Sequence, residues 1–220
     1  MSRDLGHLRE HYVAGTLRRA DLAADPIAQF ERWWDEWLAA DRYDPAACVL
    51  ATADAHGRPS ARFVLCREYD AHGFVIYTNL ESRKAADLTA NPVASLVFGW
   101  LDQDRQVRVE GEASLLDDAT VDAYWASRPR GSQLGAWASS QSAVIDGRES
   151  IEARLAEAEA RYGAGDDGPA VPRPPYWGGY RVSIGRMEFW QGRPDRLHDR
   201  FAYRRDASVD GGWVIERLCP

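Results

Sequence analysis

The tetrapeptide Asp-Ala-His-Gly occurs twice, at residues 54–57 and 70–73. Each copy stands between runs of β-forming residues: 47–53 before the first, 60–67 between them, and 74–78 after the second. Asp bends the backbone through its own side chain, and Gly accepts the positive φ that a tight turn needs. Strands joined by such short turns have to pair antiparallel. The two copies therefore read as two similar hairpin turns, and three consecutive strands are fixed as a meander.

Further strands are expected at 93–100, 105–115, 180–190, 199–204 and 212–217, where apolar, aromatic and β-branched residues cluster. Helices fill the gaps. Asp25 caps one with Pro26 at its first position, and Ile27, Phe30, Trp34, Trp37 and Leu38 give it an apolar stripe. Ser82 caps a second, which runs to about residue 90 before Asn91-Pro92. Two more are expected near 117–127 and 148–162. Residues 5–14 read as a short helix or arm, and 163–175, rich in Gly, Pro and Asp, as a flexible surface loop remote from any chemistry. Six or more antiparallel strands with helices inserted between them predict a mainly β fold with α (α+β): a closed or split antiparallel barrel with peripheral helices.

Composition excludes several functions. The net charge of -7 argues against a nucleic-acid-binding domain. No apolar run is long enough for a membrane span, and the first residues carry no signal-peptide core. Cys48, Cys66 and Cys219 are an odd number without metal-ligand spacing, which reads as free thiols in a reducing cytosol. Of nine tryptophans, Trp33, Trp34 and Trp37 sit at helical spacing, a sign of packing or a subunit contact. The chain has no Gly-rich phosphate loop, metal-ligand motif or nucleophile elbow. Redox or group chemistry would then belong to a cofactor.

Cationic residues nevertheless collect in short groups. One is Arg62-Phe63-Val64-Leu65-Cys66-Arg67, where strand alternation puts Arg62, Val64 and Cys66 on one face and Phe63, Leu65 and Arg67 on the other. Another is Tyr77-Thr78 followed by Ser82-Arg83-Lys84. Two cations in the first turn of a helix oppose its dipole, a placement that favours a bound anion there. Tyr124 and Arg128, four apart, with Ser132 after them, make a donor set for a second phosphate. Arg105-Gln106-Val107-Arg108 is a further such group, and Gln141-Ser142 suits a polar ring edge or a ribityl chain, or simply the needs of a loop. Near the C-terminus, Arg196, His198 and Arg200 alternate. If that segment is extended, all three face one side, as a solvated basic edge or opposite an anion.

The order of these motifs resembles the pyridoxine/pyridoxamine 5′-phosphate oxidase family. The likeness runs from Leu8-Arg9-Glu10 and Leu17-Arg18-Arg19 through Arg62–Arg67, Tyr77-Thr78-Asn79, Ser82-Arg83-Lys84 and Ser127-Arg128-Pro129-Arg130. It continues through Ser132–Trp137, Gln141-Ser142, Trp177-Gly178-Gly179, Glu188–Gly192 and Arg196–Arg200 to Arg217-Leu218-Cys219-Pro220. The resemblance implies an FMN-binding split barrel over 25–220, preceded by an arm over 1–24. It implies a cytoplasmic homodimer with FMN between subunits, its C-terminal segment serving dimerisation and substrate binding. It also implies oxidation of pyridoxamine or pyridoxine 5′-phosphate to pyridoxal 5′-phosphate, with O2 reduced to H2O2. FMN contacts then fall to Arg62, Val64, Leu65, Tyr77, Thr78, Arg83, Lys84, Gln106, Gln141, Ser142, Trp190 and Arg200. The substrate phosphate meets Arg67, Tyr124, Arg128 and Ser132. Arg196 and His198 approach the reacting carbon as the catalytic pair, and Arg9 and Tyr12 belong to a mobile arm over the site. Arg67 stands where the family usually has Lys. The alternatives are a sister flavin oxidase acting on another aromatic, such as a phenazine precursor, and a non-enzymatic flavin or pyridoxal-phosphate carrier.

Overall fold

The structure is a computed structural model that describes residues 11–165 and 168–220. In chain order its elements are α1 (Pro26–Leu38), β1 (Ala47–Ala53), β2 (Pro59–Asp70), β3 (Gly73–Asn79), α2 (Arg83–Ala90), β4 (Val93–Trp100) and β5 (Arg105–Leu115). Then come α3 (Asp118–Ser127), α4 (Arg130–Ala138), α5 (Arg148–Tyr162), β6 (Trp177–Val182), β7 (Arg186–Gln191), β8 (Asp199–Arg205) and β9 (Trp213–Leu218). The strands are hydrogen-bonded in the order β4-β1-β2-β3-β6-β5-β7-β8-β9, and β4 also pairs with β5. That extra pairing closes the first six into an antiparallel barrel and leaves β7, β8 and β9 as an extension. Closure removes the exposed edges that an open sheet would present.

Both Asp-Ala-His-Gly turns form as the sequence predicts. Asp54 Oδ1 accepts the backbone N–H groups of His56 and Arg58 at 2.8 and 2.9 Å, and Asp70 Oδ1 accepts those of His72 and Gly73 at 2.7 and 3.1 Å. Gly57 and Gly73 take positive φ.

The chain forms two compact units, one of residues 11–50, 95–111 and 184–220, the other of residues 51–94, 112–165 and 168–183. The first is built on α1. Asp25 Oδ1 caps it by accepting from the N–H groups of Ile27 and Ala28. Phe30 is fully buried against Phe98 and Trp100, and Trp33 meets Phe189 edge-on at 5.3 Å. Trp34 and Trp37 border Trp100, so this aromatic cluster is packing. The expected stripe shifts by part of a turn. Leu38 is exposed, and Trp33 takes the inward place. In the second unit, Val121, Trp125, Leu134, Ala158, Val171 and Trp177 form a separate core under β3 and β6.

Four local expectations are corrected. The strand expected over 180–190 is two strands, β6 ending at Val182 and β7 beginning at Arg186, with an irregular step between them in which Ser183 and Gly185 still donate to the Glu112 and Glu110 carbonyls of β5. Residues 130–138, where no helix is expected from the sequence, form α4; Pro129 at its N-cap and Gly131 and Gly135 within it hide the helical pattern. Arg128 lies outside α3 with ψ 143°, since the residue before a proline is pushed out of helical geometry. Arg196 is not on an extended strand. It sits in a tight turn with φ 63°, following Asp195 at φ 57°, and β8 begins only at Asp199. Of the expected arm or helix over 5–14, residues 11–14 are not helical, and 5–10 lie outside the described residues.

Candidate active site

In the second unit a cavity of about 470 Å³ opens among β2, β3, α3, α4 and Trp177, a volume typical of small-molecule sites. Val64, Leu65, Tyr77, Thr78, Lys84 and Gln141 of the expected flavin set line it, and so do Arg67, Tyr124, Arg128 and Ser132 of the expected phosphate set. Arg83 and Ser142 line a smaller recess of about 300 Å³ that shares Gln141. Residues spread over the sequence from 64 to 142 are thus brought to one place by a meander and three helices.

An aromatic platform forms one wall. The Tyr77 and Tyr124 rings stack at 3.7 Å with 6° between their planes, and Trp177 lies nearly parallel to both at 5.5 and 6.0 Å. The glycines after Trp177 make this geometry available. Gly179 pairs with Tyr77 across the ladder, and a Cβ there would stand 2.9 Å from both the Tyr77 ring and the Ile76 carbonyl. Tyr77 Oη donates to Glu68 Oε1 at 2.8 Å, and burial, then that bond, raise its pKa.

Arg128 lies over Trp177, 4.6 Å from the ring centre, and donates to the Ser132 carbonyl at 2.9 Å. Burial lowers its pKa, and the nearby Arg67 charge lowers it further. Two guanidinium groups that repel each other across a cavity are the electrostatic counterpart of a dianion. Arg67 reaches this position from a β-bulge: Cys66 pairs with Ile76 and Glu68 with Val75, so Arg67 is the extra residue. Bulges re-aim side chains in this way.

Lys84, in the first turn of α2, donates to Gln141 Oε1 at 2.5 Å, Thr78 Oγ1 at 3.0 Å and Ser82 Oγ at 3.1 Å. All three acceptors are neutral. Burial and then the Arg62 charge bring its pKa down to about 8. Arg62 lines neither cavity. It donates to Thr52 Oγ1 at 2.8 Å and lies 3.8 Å from Asp87.

The remaining expected residues belong to the first unit. Gln106, Trp190 and Arg200 pair directly across β5, β7 and β8, so they form one row on one sheet face. Arg200 donates to the buried Glu188 at 2.8 Å. His198 lies beside Trp190, with ring centres 4.6 Å apart, and its Nδ1 accepts the Arg193 N–H at 3.1 Å. Burial lowers its pKa, with Arg196 and Arg200 adding to the effect. Tyr12 packs edge-on against both Trp190 and His198. Gly192 permits that approach, since a Cβ there would stand 2.8 Å from the Tyr12 ring. Arg196 is exposed, and Arg9 lies outside the described residues.

Several residues were not foreseen in a functional place. Thr52 and Asp87 hold Arg62, Glu188 holds Arg200, and Trp177 supports Arg128. Asp87 had a readable signal, lying three residues after Lys84 and four after Arg83 on α2, although Ser82 makes no side-chain capping bond there and its Oγ accepts from Lys84 instead. Thr52 had none, because its neighbour across the strand pair depends on register. The loop over 163–175 is also more than surface. Val171 is buried, its carbonyl accepts from Trp125 Nε1 at 2.8 Å, and the Pro172 carbonyl accepts from Trp137 Nε1 at 2.9 Å. Arg130 donates to the carbonyls of Tyr162, Gly163 and Pro169.

Comparison with known proteins shows the family and the fold. Residues 35–162 match the family described as pyridoxamine 5′-phosphate oxidase, and residues 177–220 match the pyridoxine 5′-phosphate oxidase C-terminal dimerisation region. A Burkholderia multivorans protein named pyridoxine/pyridoxamine 5′-phosphate oxidase is 53% identical over 216 residues, covering 98% of this chain and 99% of its own. One of the same name from Cupriavidus metallidurans is equally similar, at 53% identity and the same coverage. Among solved structures, PhzG from Burkholderia lata, in complex with tetrahydrophenazine-1-carboxylic acid, superposes with a TM-score of 0.83 at 33% identity, covering 93% of this chain and 98% of that one. A pyridoxamine 5′-phosphate oxidase-related, FMN binding protein from Nostoc punctiforme shares the fold, with a TM-score of 0.68 at 18% identity over 91% of this chain and 99% of that one. The match over nearly the whole length shows that the chain belongs to the pyridoxine/pyridoxamine 5′-phosphate oxidase family.

Proposed function

We propose that the protein is an FMN-dependent oxidase that converts pyridoxamine 5′-phosphate or pyridoxine 5′-phosphate to pyridoxal 5′-phosphate, with O2 reduced to H2O2. The observation that carries this reading is the single cavity shared by two anion-binding groups: Lys84 with its neutral partners, and Arg67 with Arg128, Tyr124 and Ser132. A redox cofactor and a substrate that each carry a phosphate suit one cavity with two such groups.

The residues fit FMN. Lys84 is a half-buried cation whose acceptors are all uncharged, next to Arg62 and at a helix N-terminus, which is the chemistry of a phosphate seat. Arg62, Arg83 and Lys84 would hold the phosphate. Thr78, Gln141 and Ser142 would meet the ribityl chain and ring edge together with Val64 and Leu65, and Gln106, Trp190 and Arg200 would complete the flavin contacts. When bound, FMN supplies the two-electron acceptor and its reoxidation by O2.

The chain's own residues bind and orient. Arg67, Arg128, Tyr124 and Ser132 would take the substrate phosphate, with Arg128 braced on Trp177. His198, neutral at pH 7 because its pKa is lowered, has Nδ1 committed to the Arg193 N–H, so Nε2 carries the proton and donates. Arg196 and His198 would hold the pyridine ring with its exocyclic carbon in place, and Tyr12 would cover it with Arg9. We further propose a homodimer with FMN between subunits, a reading supported by the match of 177–220 to a dimerisation region.

The likeness to PhzG keeps a second reading, oxidation of a phosphate-free aromatic acid. Arg67 and Arg128 together oppose it, because one carboxylate leaves two repelling cations under-compensated. Steady-state assays comparing pyridoxamine 5′-phosphate with unphosphorylated pyridoxamine test the choice. A strong preference for the phosphate ester is expected, and equal use of both would contradict it.

A further inference from the structure

Among the cations assigned to the flavin phosphate, Arg62 is aimed by a relay built from buried groups. Asp87 is 5% exposed and Thr52 is 4% exposed. Thr52 Oγ1 donates to Asp87 Oδ2 at 2.6 Å, and the same oxygen accepts from Arg62 Nη1 at 2.8 Å. Arg62 Nη2 lies 3.8 Å from Asp87 Oδ2. The hydroxyl uses its proton toward the carboxylate and its lone pair toward the guanidinium, so the order of the three groups is fixed in direction. Asp87 also lies on α2 itself, the helix whose first turn carries Arg83 and Lys84.

We propose that Thr52 and Asp87 are positioning residues that orient Arg62 toward the phosphate of FMN. The inference deepens the FMN reading and rests on it. A buried carboxylate beside an anion seat would otherwise work against the site, since its charge repels the phosphate. Its presence makes sense if the gain in orientation exceeds that repulsion. Arg62 is one of three cations here, with Arg83 and Lys84; burial lowers the pKa of Arg62 and of Lys84, and a neighbouring cation adds to each shift, Arg83 for Arg62 and Arg62 for Lys84. A long side chain among like charges turns away unless something holds it, and a guanidinium binds phosphate well only when its fork is aligned.

This makes a test with opposite signs. If Asp87 only balances charge, Asp87→Asn leaves the site more positive and FMN binds more tightly. If Asp87 positions Arg62, the same variant binds FMN more weakly despite the added positive charge. Full-length flavin-free protein would be titrated with FMN and with riboflavin, which lacks the phosphate, following quenching of flavin fluorescence. The wild type should prefer FMN. Asp87→Asn and Thr52→Val should each weaken FMN by about tenfold, the scale of one misaligned charge-assisted hydrogen bond, and leave riboflavin within about twofold. Thr52→Ser, which keeps the hydroxyl, should restore FMN binding. Unchanged or tighter FMN binding by Asp87→Asn would overturn the inference, as would equal weakening of FMN and riboflavin, which marks general loosening. A wild type that binds riboflavin as well as FMN would overturn the flavin-phosphate reading and the inference together. Discrimination by the wild type that both variants retain would overturn the inference alone.

Discussion

Arg193 donates its backbone N–H to Nδ1 of His198 at 3.1 Å. That bond needs Nδ1 unprotonated, and the lowered pKa keeps the ring neutral at pH 7. His198 is therefore expected to act as a hydrogen-bond donor through Nε2, not as a proton acceptor. Nitrogen-15 NMR of labelled protein should show the Nε2–H tautomer, with no titration between pH 7 and 8. His198→Gln, which keeps a donor, should lose less kcat than His198→Ala, which should lose about a hundredfold through misplacement of the ring. A titrating imidazolium in that pH range would contradict the assignment.

Arg67 gives the second prediction. Arg67→Lys should keep activity because the bulge still aims a cation into the cavity. Arg67→Ala should raise KM for the phosphorylated substrate with a smaller effect on kcat. One lost charge-assisted contact costs about 1.5–3 kcal/mol, so the KM change should be roughly tenfold to a hundredfold. An unchanged KM in the alanine variant would remove Arg67 from the phosphate site.

Lys84 sets a pH dependence. Its pKa in the flavin-free protein is down to about 8, from an ordinary 10.5. From about pH 7, where a phosphate monoester is past its second ionisation near 6, up toward 8 the ammonium is mostly charged and FMN affinity should change little. As pH rises through 8 the free protein loses that proton, binding must restore it, and affinity should fall by up to about tenfold per pH unit until the pKa of the bound state is reached. Proton uptake on binding at pH 9, read from calorimetry in buffers of different ionisation enthalpy, checks this directly. In Lys84→Met the uptake should vanish.

Arg130 gives the fourth. Its guanidinium ties the end of α5 and the following loop to the start of α4, next to Arg128 and Ser132. Arg130→Ala should destabilise the fold by about 2–3 kcal/mol, lowering Tm by roughly 4–12 °C. It should also raise KM for the phosphate ester while bound flavin stays near the wild-type level. Normal KM with lowered Tm would confine Arg130 to a structural part.

The sequence announced what is local and hid what depends on register and turns. The Asp54 and Asp70 turns, the Asp25-Pro26 start of α1 and the span of α5 were legible because their signals lie within a few residues. The shift of the inward face of α1 toward Trp33 was not, since Phe98, Trp100 and Phe189 decide it from distant strands. Alternation along 196–200 suggested one shared face, yet Asp195 and Arg196 take positive φ after Pro194, so Arg196 leaves that face. In the cavity, the grouping of Tyr124, Arg128 and Ser132 was legible even though α3 ends before Arg128. Thr52, Asp87 and Glu188 were not, because each acts on a cation brought to it by the fold.

The most direct test of the central claim is to mix the flavin-loaded protein anaerobically with pyridoxamine 5′-phosphate and follow the visible flavin band. The band should bleach at a rate that accounts for turnover. Admitting air should restore it with one H2O2 formed for each pyridoxal 5′-phosphate. A band that stays oxidised with both phosphorylated vitamers, while a dihydro- or tetrahydrophenazine carboxylate bleaches it, would contradict the account.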